Sequence, residues 1–68
     1  MKLSARNQIR GTVIEVIKGA TTSHVRIDIG AAVITASITN EAVDDLGLAA
    51  GKPAIAVIKA SDVMVGVD

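Results

Sequence analysis

Between His24 and Ile29 apolar and polar residues alternate strictly: Val25, Ile27 and Ile29 on one parity, His24, Arg26 and Asp28 on the other. A period of two marks a strand with one buried face. Val33 to Thr39 repeats it, with Ile34, Ala36 and Ile38 facing one way and the hydroxyl-bearing Thr35, Ser37 and Thr39 the other. The interval Gly30-Ala31-Ala32 predicts a hairpin between the two. Ile9 to Lys18 is a longer β-branched run with a broken pattern: Ile9 and Val13 share one parity, Ile14 and Val16 the other. The break predicts either a bulge near Val13 or a strand covered on both faces at its far end, and Gly11 suits a bulge or bend. Lys18-Gly19-Ala20-Thr21-Thr22 reads as a turn. Ala54 to Lys59 and Val63 to Val67 predict two further strands, joined tightly through Ala60-Ser61-Asp62.

Only Asn40 to Leu48 reads as a helix. Thr39 or Asn40 can cap it, and Glu41 suits its positive N-terminal end. Val43 and Leu46, three apart, are expected to face inward. Gly47 fits a left-handed stop, with Leu48 closing the hydrophobic contact after it. Three strands, a short helix and two strands predict an all-β fold. The expected form is a small five-stranded barrel of the oligonucleotide/oligosaccharide-binding (OB) type, with its helix between strands 3 and 4. Residues 1–68 read as a single domain.

Composition changes this picture in one respect. Half of the 68 residues are apolar, yet Phe, Tyr, Trp and Cys are all absent. A chain this short buries only about 60% of its unfolded surface, and such folds usually need a disulfide, a metal or a partner subunit. Without cysteine, and with His24 as the lone histidine, self-association is the remaining staple. Charge narrows function. Seven basic and seven acidic residues balance to zero, whereas a general nucleic-acid binder neutralises several phosphates. Stacking platforms for single strands are missing too. No apolar run approaches the roughly 20 residues of a membrane span, and Met1 to Asn7 does not read as a signal peptide. The expectation is a cytoplasmic protein.

Candidate chemistry begins with Ser4-Ala5-Arg6-Asn7-Gln8. On an extended backbone Ser4 and Arg6, two apart, point to the same side. Lys59 and Ser61 repeat the spacing at a strand end. If these ends meet, a guanidinium, an ammonium, two hydroxyls and free backbone N–H groups face one space. An oxyanion carries only acceptors, so that donor set suits a small tetrahedral dianion, held by charge-assisted bonds. Spacing alone equally permits a solvated N-terminus and an ordinary strand end entering a turn. Gly47-Leu48-Ala49-Ala50-Gly51-Lys52 looks faintly like a phosphate-binding loop, but it is one residue short and Pro53 replaces the hydroxyl residue. His24 and Asp44-Asp45 read as solvated positions. No nucleophile–base pair is visible, so the chain reads as not an enzyme.

The SARNQ opening, the Val-Ile-Lys-Gly turn at 16–19, the helix region 38–48 and Ile58-Lys59-Ala60-Ser61 with Val63-Met64-Val65-Gly66-Val67 together resemble the molbindins. These are stand-alone molybdenum–pterin-binding (Mop) domains, and the resemblance covers essentially the whole chain. It implies an OB-like barrel and a homohexamer built as a trimer of dimers. It also implies cytoplasmic binding of molybdate or tungstate at subunit interfaces; an organic cofactor is not expected, because the chain has no aromatic ring on which a pterin could stack. Carried over, Ser4, Arg6, Lys59, Ala60 and Ser61 match one class of site, Ala60 through its backbone, with Thr39 as a further donor. A second class falls to the turn Lys18, Gly19, Ala20, Thr21 and Thr22, where Ser23 is also on offer. Storage and homeostasis of molybdenum is the implied role. Two alternatives stand beside it: a small β-barrel that binds nucleic acid, and a structural assembly module without a ligand.

Overall fold

A computed structural model describes all 68 residues. The chain forms β1 (Asn7–Lys18), β2 (Thr22–Asp28), β3 (Val33–Thr39), helix α1 (Asn40–Leu46) and β4 (Pro53–Ile58), followed by a single 3₁₀ turn at Ala60–Asp62. All strand pairs are antiparallel, in the order β3-β2-β1-β4. The sheet curls into a half-barrel, with α1 between strands 3 and 4 as expected. Val13, Val25, Ile27, Val43 and Ala56 form the buried core, and Ile9, Ile34, Ala36, Ile38 and Leu48 pack against it.

The broken pattern in β1 is a bulge. Its register against β2 slips between Val13 and Glu15, so Val13 stays fully buried while Ile14 turns outward. Before the bulge β1 pairs with β4 along its whole length, from Asn7 opposite Ile58 to Thr12 opposite Pro53. Gly11 has a different role from the one its composition suggested. A side chain there would sit 2.5 Å from the Asp28 carbonyl oxygen and 2.8 Å from a methyl of Ile27. Glycine is what lets β1 cross so close to β2. The loop that resembled a phosphate cradle is a clamp instead: the Gly51 N–H donates to the Val13 carbonyl (2.7 Å) and the Val13 N–H to the Lys52 carbonyl (2.9 Å).

Thr39 caps α1, its hydroxyl accepting from the Ala42 N–H at 3.1 Å. Gly47 ends the helix with φ of 63°, and the Leu48 N–H returns to the Val43 carbonyl. Leu46 does not face inward as predicted; it is 68% exposed. The helix is only seven residues long. Val43 makes its buried contact, and the reversal at Gly47 lets Leu48 supply the next one.

The fifth strand is the larger correction. Val63–Val67 forms no strand, and Met64, Val65 and Val67 are more than 90% exposed. The residues have β-branched character, but β propensity is realised only against a neighbour. The 3₁₀ turn leads the chain off the sheet, and no segment of the same chain lies beside the tail. Four strands therefore stand where five were expected, and the barrel is open between β3 and β4.

Candidate functional site

The SARNQ segment braces itself. Arg6 donates from Nε to the Ser4 carbonyl (3.0 Å) and from Nη2 to the Leu3 carbonyl (3.2 Å). Asn7 Nδ2 reaches across the sheet to the Ile58 carbonyl at 3.1 Å, and Gln8 Nε2 returns to the Ala5 carbonyl at 3.0 Å. Three consecutive polar side chains each satisfy a backbone oxygen, which shapes the arm that enters β1. Arg6 keeps further guanidinium N–H groups free after these two bonds, since it carries five donors.

The β1–β4 ladder ends at Asn7 and Ile58. Arg6 and Lys59 are the next residues outward on the two strands, and opposed residues of an antiparallel pair share a face. The two cations thus stand at one end of the sheet, with Ser4 and Ser61 two residues further along their segments. All four side chains are exposed, and neither cation belongs to a salt bridge. The Ala60–Asp62 turn closes on itself through the Asp62 N–H to the Lys59 carbonyl (2.9 Å). A turn of this kind leaves the N–H groups at its start, those of Ala60 and Ser61, without an internal acceptor.

Thr39 lies elsewhere. Thr22 is its register partner in β2, next to the Lys18–Ser23 pair of β1. The length of β1 separates it from Arg6 and Lys59 in the same chain. Thr39 instead adjoins the turn assigned to the second class. Its hydroxyl accepts at the helix cap and keeps its proton for another acceptor.

That turn is held from below by Asn40. The Asn40 N–H donates to the Thr21 carbonyl at 2.9 Å, and its Nδ2 donates to the Gly19 carbonyl at 3.0 Å. Ser23 Oγ donates to Asn40 Oδ1, and Gly19 N–H closes the turn onto the Thr22 carbonyl at 2.7 Å. Lys18 is tied to Asp44 by a 2.7 Å ion pair, with both side chains about half or more exposed. Ser23 is fully buried, so it is not on offer to a ligand as expected. Its burial follows from the alternation that sequence reading missed: Ser23, Val25 and Ile27 share the inward parity of β2. Thr21 and Thr22 remain exposed. A small recess of about 190 Å³ lies beside them, lined by Ile17, Gly19, Thr22 and His24.

The donors gathered at both places are cations, hydroxyls and amides. Nowhere do three or more His, Cys, Asp or Glu side chains cluster to hold a metal ion. The arrangement suits anions.

Comparison with known proteins agrees with this chemistry. The TOBE domain model matches residues 3–65. A "probable molybdenum-pterin-binding protein" of Haemophilus influenzae is 46% identical, aligned over the whole of both chains. Among solved structures, a molybdate-binding protein of Sporomusa ovata superposes with a TM-score of 0.93 at 34% identity, covering 98% of this chain and all of that one. The cytoplasmic molybdate-binding protein ModG, crystallised with molybdate bound, gives a TM-score of 0.94 at 45% identity. This chain covers 49% of ModG's length.

Proposed function

Because this chain belongs to the TOBE domain family, as a homologue of the molybdenum-pterin-binding (Mop) proteins along its full length, we propose that it binds molybdate or tungstate. The family is one of binding proteins, not of enzymes. The proposed sites lie where copies of the chain meet. One class uses Ser4, Arg6, Lys59, Ser61 and the Ala60 backbone N–H, with Thr39 contributed by a neighbouring copy because it lies too far away in its own. The other uses the Lys18–Thr22 turn. The proposed assembly is a homohexamer, a trimer of dimers, that stores and buffers molybdenum in the cytoplasm as a single domain over residues 1–68.

One observation carries the reading. Arg6 and Lys59, far apart in sequence, are the residues that follow the last pair of the β1–β4 ladder, Asn7 and Ile58, and neither belongs to a salt bridge. Two unneutralised cations nearly balance a dianion. Burying that dianion without them is prohibitive, and the hydroxyl and amide donors around them complete a set with nothing acidic in it until Asp62. A neutral protomer adds little like-charge repulsion to an assembly. An anion bound only by the assembled form stabilises it by mass action, so filling the sites and holding the subunits together are one equilibrium.

Equilibrium dialysis with metal analysis tests this directly. Saturable molybdate uptake is expected, with tungstate competing for the same sites. Arg6→Ala should lower uptake sharply while leaving the far-ultraviolet circular dichroism unchanged. Unaltered stoichiometry and affinity in that variant would remove Arg6 from the site, and failure of tungstate to compete would refute the pocket.

A further inference from the structure

The turn that joins β1 to β2 spends its acceptors and keeps its donors. All four carbonyl oxygens from Gly19 to Thr22 accept a hydrogen bond: Gly19 and Ala20 from Asn40 Nδ2 (3.0 and 3.5 Å), Thr21 from the Asn40 N–H (2.9 Å) and Thr22 from the Gly19 N–H (2.7 Å). The N–H groups of Ala20 and Thr21, which belong to no strand or helix, donate to no acceptor in the chain. An anion carries only acceptors, so free donors suit it. The one charge on the turn, however, is already engaged. Asp44, in the second turn of α1, holds the Lys18 ammonium at 2.7 Å. Asp45, its neighbour on the same helix, holds no cation.

We propose that Asp44 is a built-in competitor of the oxyanion: its carboxylate occupies Lys18 while the turn is empty and gives the ammonium up when the anion binds. The inference rests on the proposed function, in particular on the turn as the second class of site. Geometry alone would let an ammonium with three N–H donors serve both partners. Charge does not. A dianion brought to Lys18 also comes close to the carboxylate on the same nitrogen, and like charges at that range repel.

The pair has a use in the empty state. The proposed sites lie where copies of the chain meet, and an unbalanced Lys18 on each copy would repel its counterparts there. Asp44 balances each one within its own chain. Arg6 and Lys59 belong to no salt bridge, so an anion arriving at the first class displaces no carboxylate. Asp44 thus raises the molybdate concentration at which the turn fills and leaves the SARNQ end untouched. Both partners of the pair are about half or more exposed. Giving up such a pair weakens binding by no more than about fivefold, and the carboxylate's repulsion adds to that.

The test is a molybdate titration of the ¹⁵N-labelled full chain, followed by amide correlation spectra. The Ala20 and Thr21 N–H signals report the turn, and the Arg6 Nε–H signal reports the first class separately. Asp44→Asn keeps the size of the side chain and removes its charge. It is expected to bring the midpoint at the turn down by about three- to tenfold, with the Arg6 midpoint unmoved. Asp45→Asn removes the same charge from the same helix without touching Lys18, and should leave the turn's midpoint within about twofold of the parent. Lys18→Ala should raise that midpoint, and adding Asp44→Asn to it should change nothing further. An unmoved midpoint in Asp44→Asn, an equal gain from Asp45→Asn, or a gain from Asp44→Asn that survives Lys18→Ala would each overturn the competition and leave the proposed function standing. Shifts at Arg6 with none at Ala20 and Thr21 would remove the second class and this proposal with it. No response at either place would sink the oxyanion reading as a whole.

Discussion

Asn40→Ala is the perturbation whose cost follows most directly from the geometry. The side chain bonds in two directions: Oδ1 accepts from the fully buried Ser23 hydroxyl, and Nδ2 donates to the Gly19 carbonyl at 3.0 Å and, at the limit of 3.5 Å, to that of Ala20. Losing a neutral bond at the exposed turn costs about 1 kcal/mol. Leaving the buried Ser23 hydroxyl without an acceptor costs a further 1–3 kcal/mol or so, because water cannot reach it. The expected sum is about 2–4 kcal/mol, against a total of roughly 5–15 for an ordinary domain. For a chain of this size that lowers Tm by about 10–30 °C. Thermal unfolding followed by circular dichroism, at one fixed protein concentration so that association contributes equally, measures it. Ser23→Ala supplies the internal check. In the double variant no buried donor is orphaned, so its cost should fall below the sum of the two single costs by about 1 kcal/mol or more. Additive costs, or a Tm for Asn40→Ala within 3 °C of the parent, would refute the assignment of Asn40 as the clamp of the 18–22 turn.

Gly11→Ala should destabilise by about 1–3 kcal/mol through overpacking, because the new methyl meets the Asp28 carbonyl at 2.5 Å; denaturant midpoints check it, and a neutral result would mean that β1 and β2 separate freely at this point. Thr39→Ala is expected to cost about 1 kcal/mol from the lost cap, with Thr39→Ser close to the parent; if Thr39 also donates to an oxyanion, Thr39→Ala weakens molybdate uptake in dialysis and Thr39→Ser restores it. Asp44→Ala should change Tm little, since both partners of its ion pair with Lys18 are largely exposed and such pairs contribute about 0–1 kcal/mol. A Tm drop above about 5 °C in that variant would show that the pair supports the turn.

The clean alternations of β2 and β3 made those strands legible because one face of each is buried by the chain's own core. The bulge in β1 was legible as one of two options, and Ile14 chose it: its side chain turns to solvent where a second covered face would have hidden it. The same signal misled at the tail. Val63–Val67 has strand composition, but no strand of this chain pairs with it, and a periodicity does not say whether a strand finds a partner. Ser23 was misplaced for a different reason. Grouping it with Thr21 and Thr22 followed adjacency along the chain, whereas its environment follows parity with Val25. Asn40 was weighed as a cap, a role that Thr39 fills. Its clamp on Gly19 and Ser23 joins residues about twenty positions apart, which local propensity does not encode. Arg6 and Lys59 were read together only on the condition that the ends of β1 and β4 meet; the ladder stops one residue short of each, at Asn7 and Ile58.

A net charge of zero and a basic site are compatible only if the acids are occupied elsewhere, and the structure shows how several of them are. Asp44 is paired with Lys18. Glu15 lies 3.6 Å from Arg26, and Asp28 accepts from the Gly30 N–H at 2.8 Å, fixing the hairpin turn. Each of these contacts is exposed and contributes little to stability, yet each gives a carboxylate a partner other than Arg6 or Lys59. Arg6, for its part, spends donors only on neutral carbonyl oxygens, which orient the guanidinium without cancelling its charge. An arginine paired with a carboxylate would have to give that partner up before accepting an anion, and the exchange would gain little. Neutral bracing costs the ligand nothing to displace, because it stays in place. On the proposed function, preorganised charge at a chain whose total is zero would let copies approach one another and still present a locally positive end to a dianion.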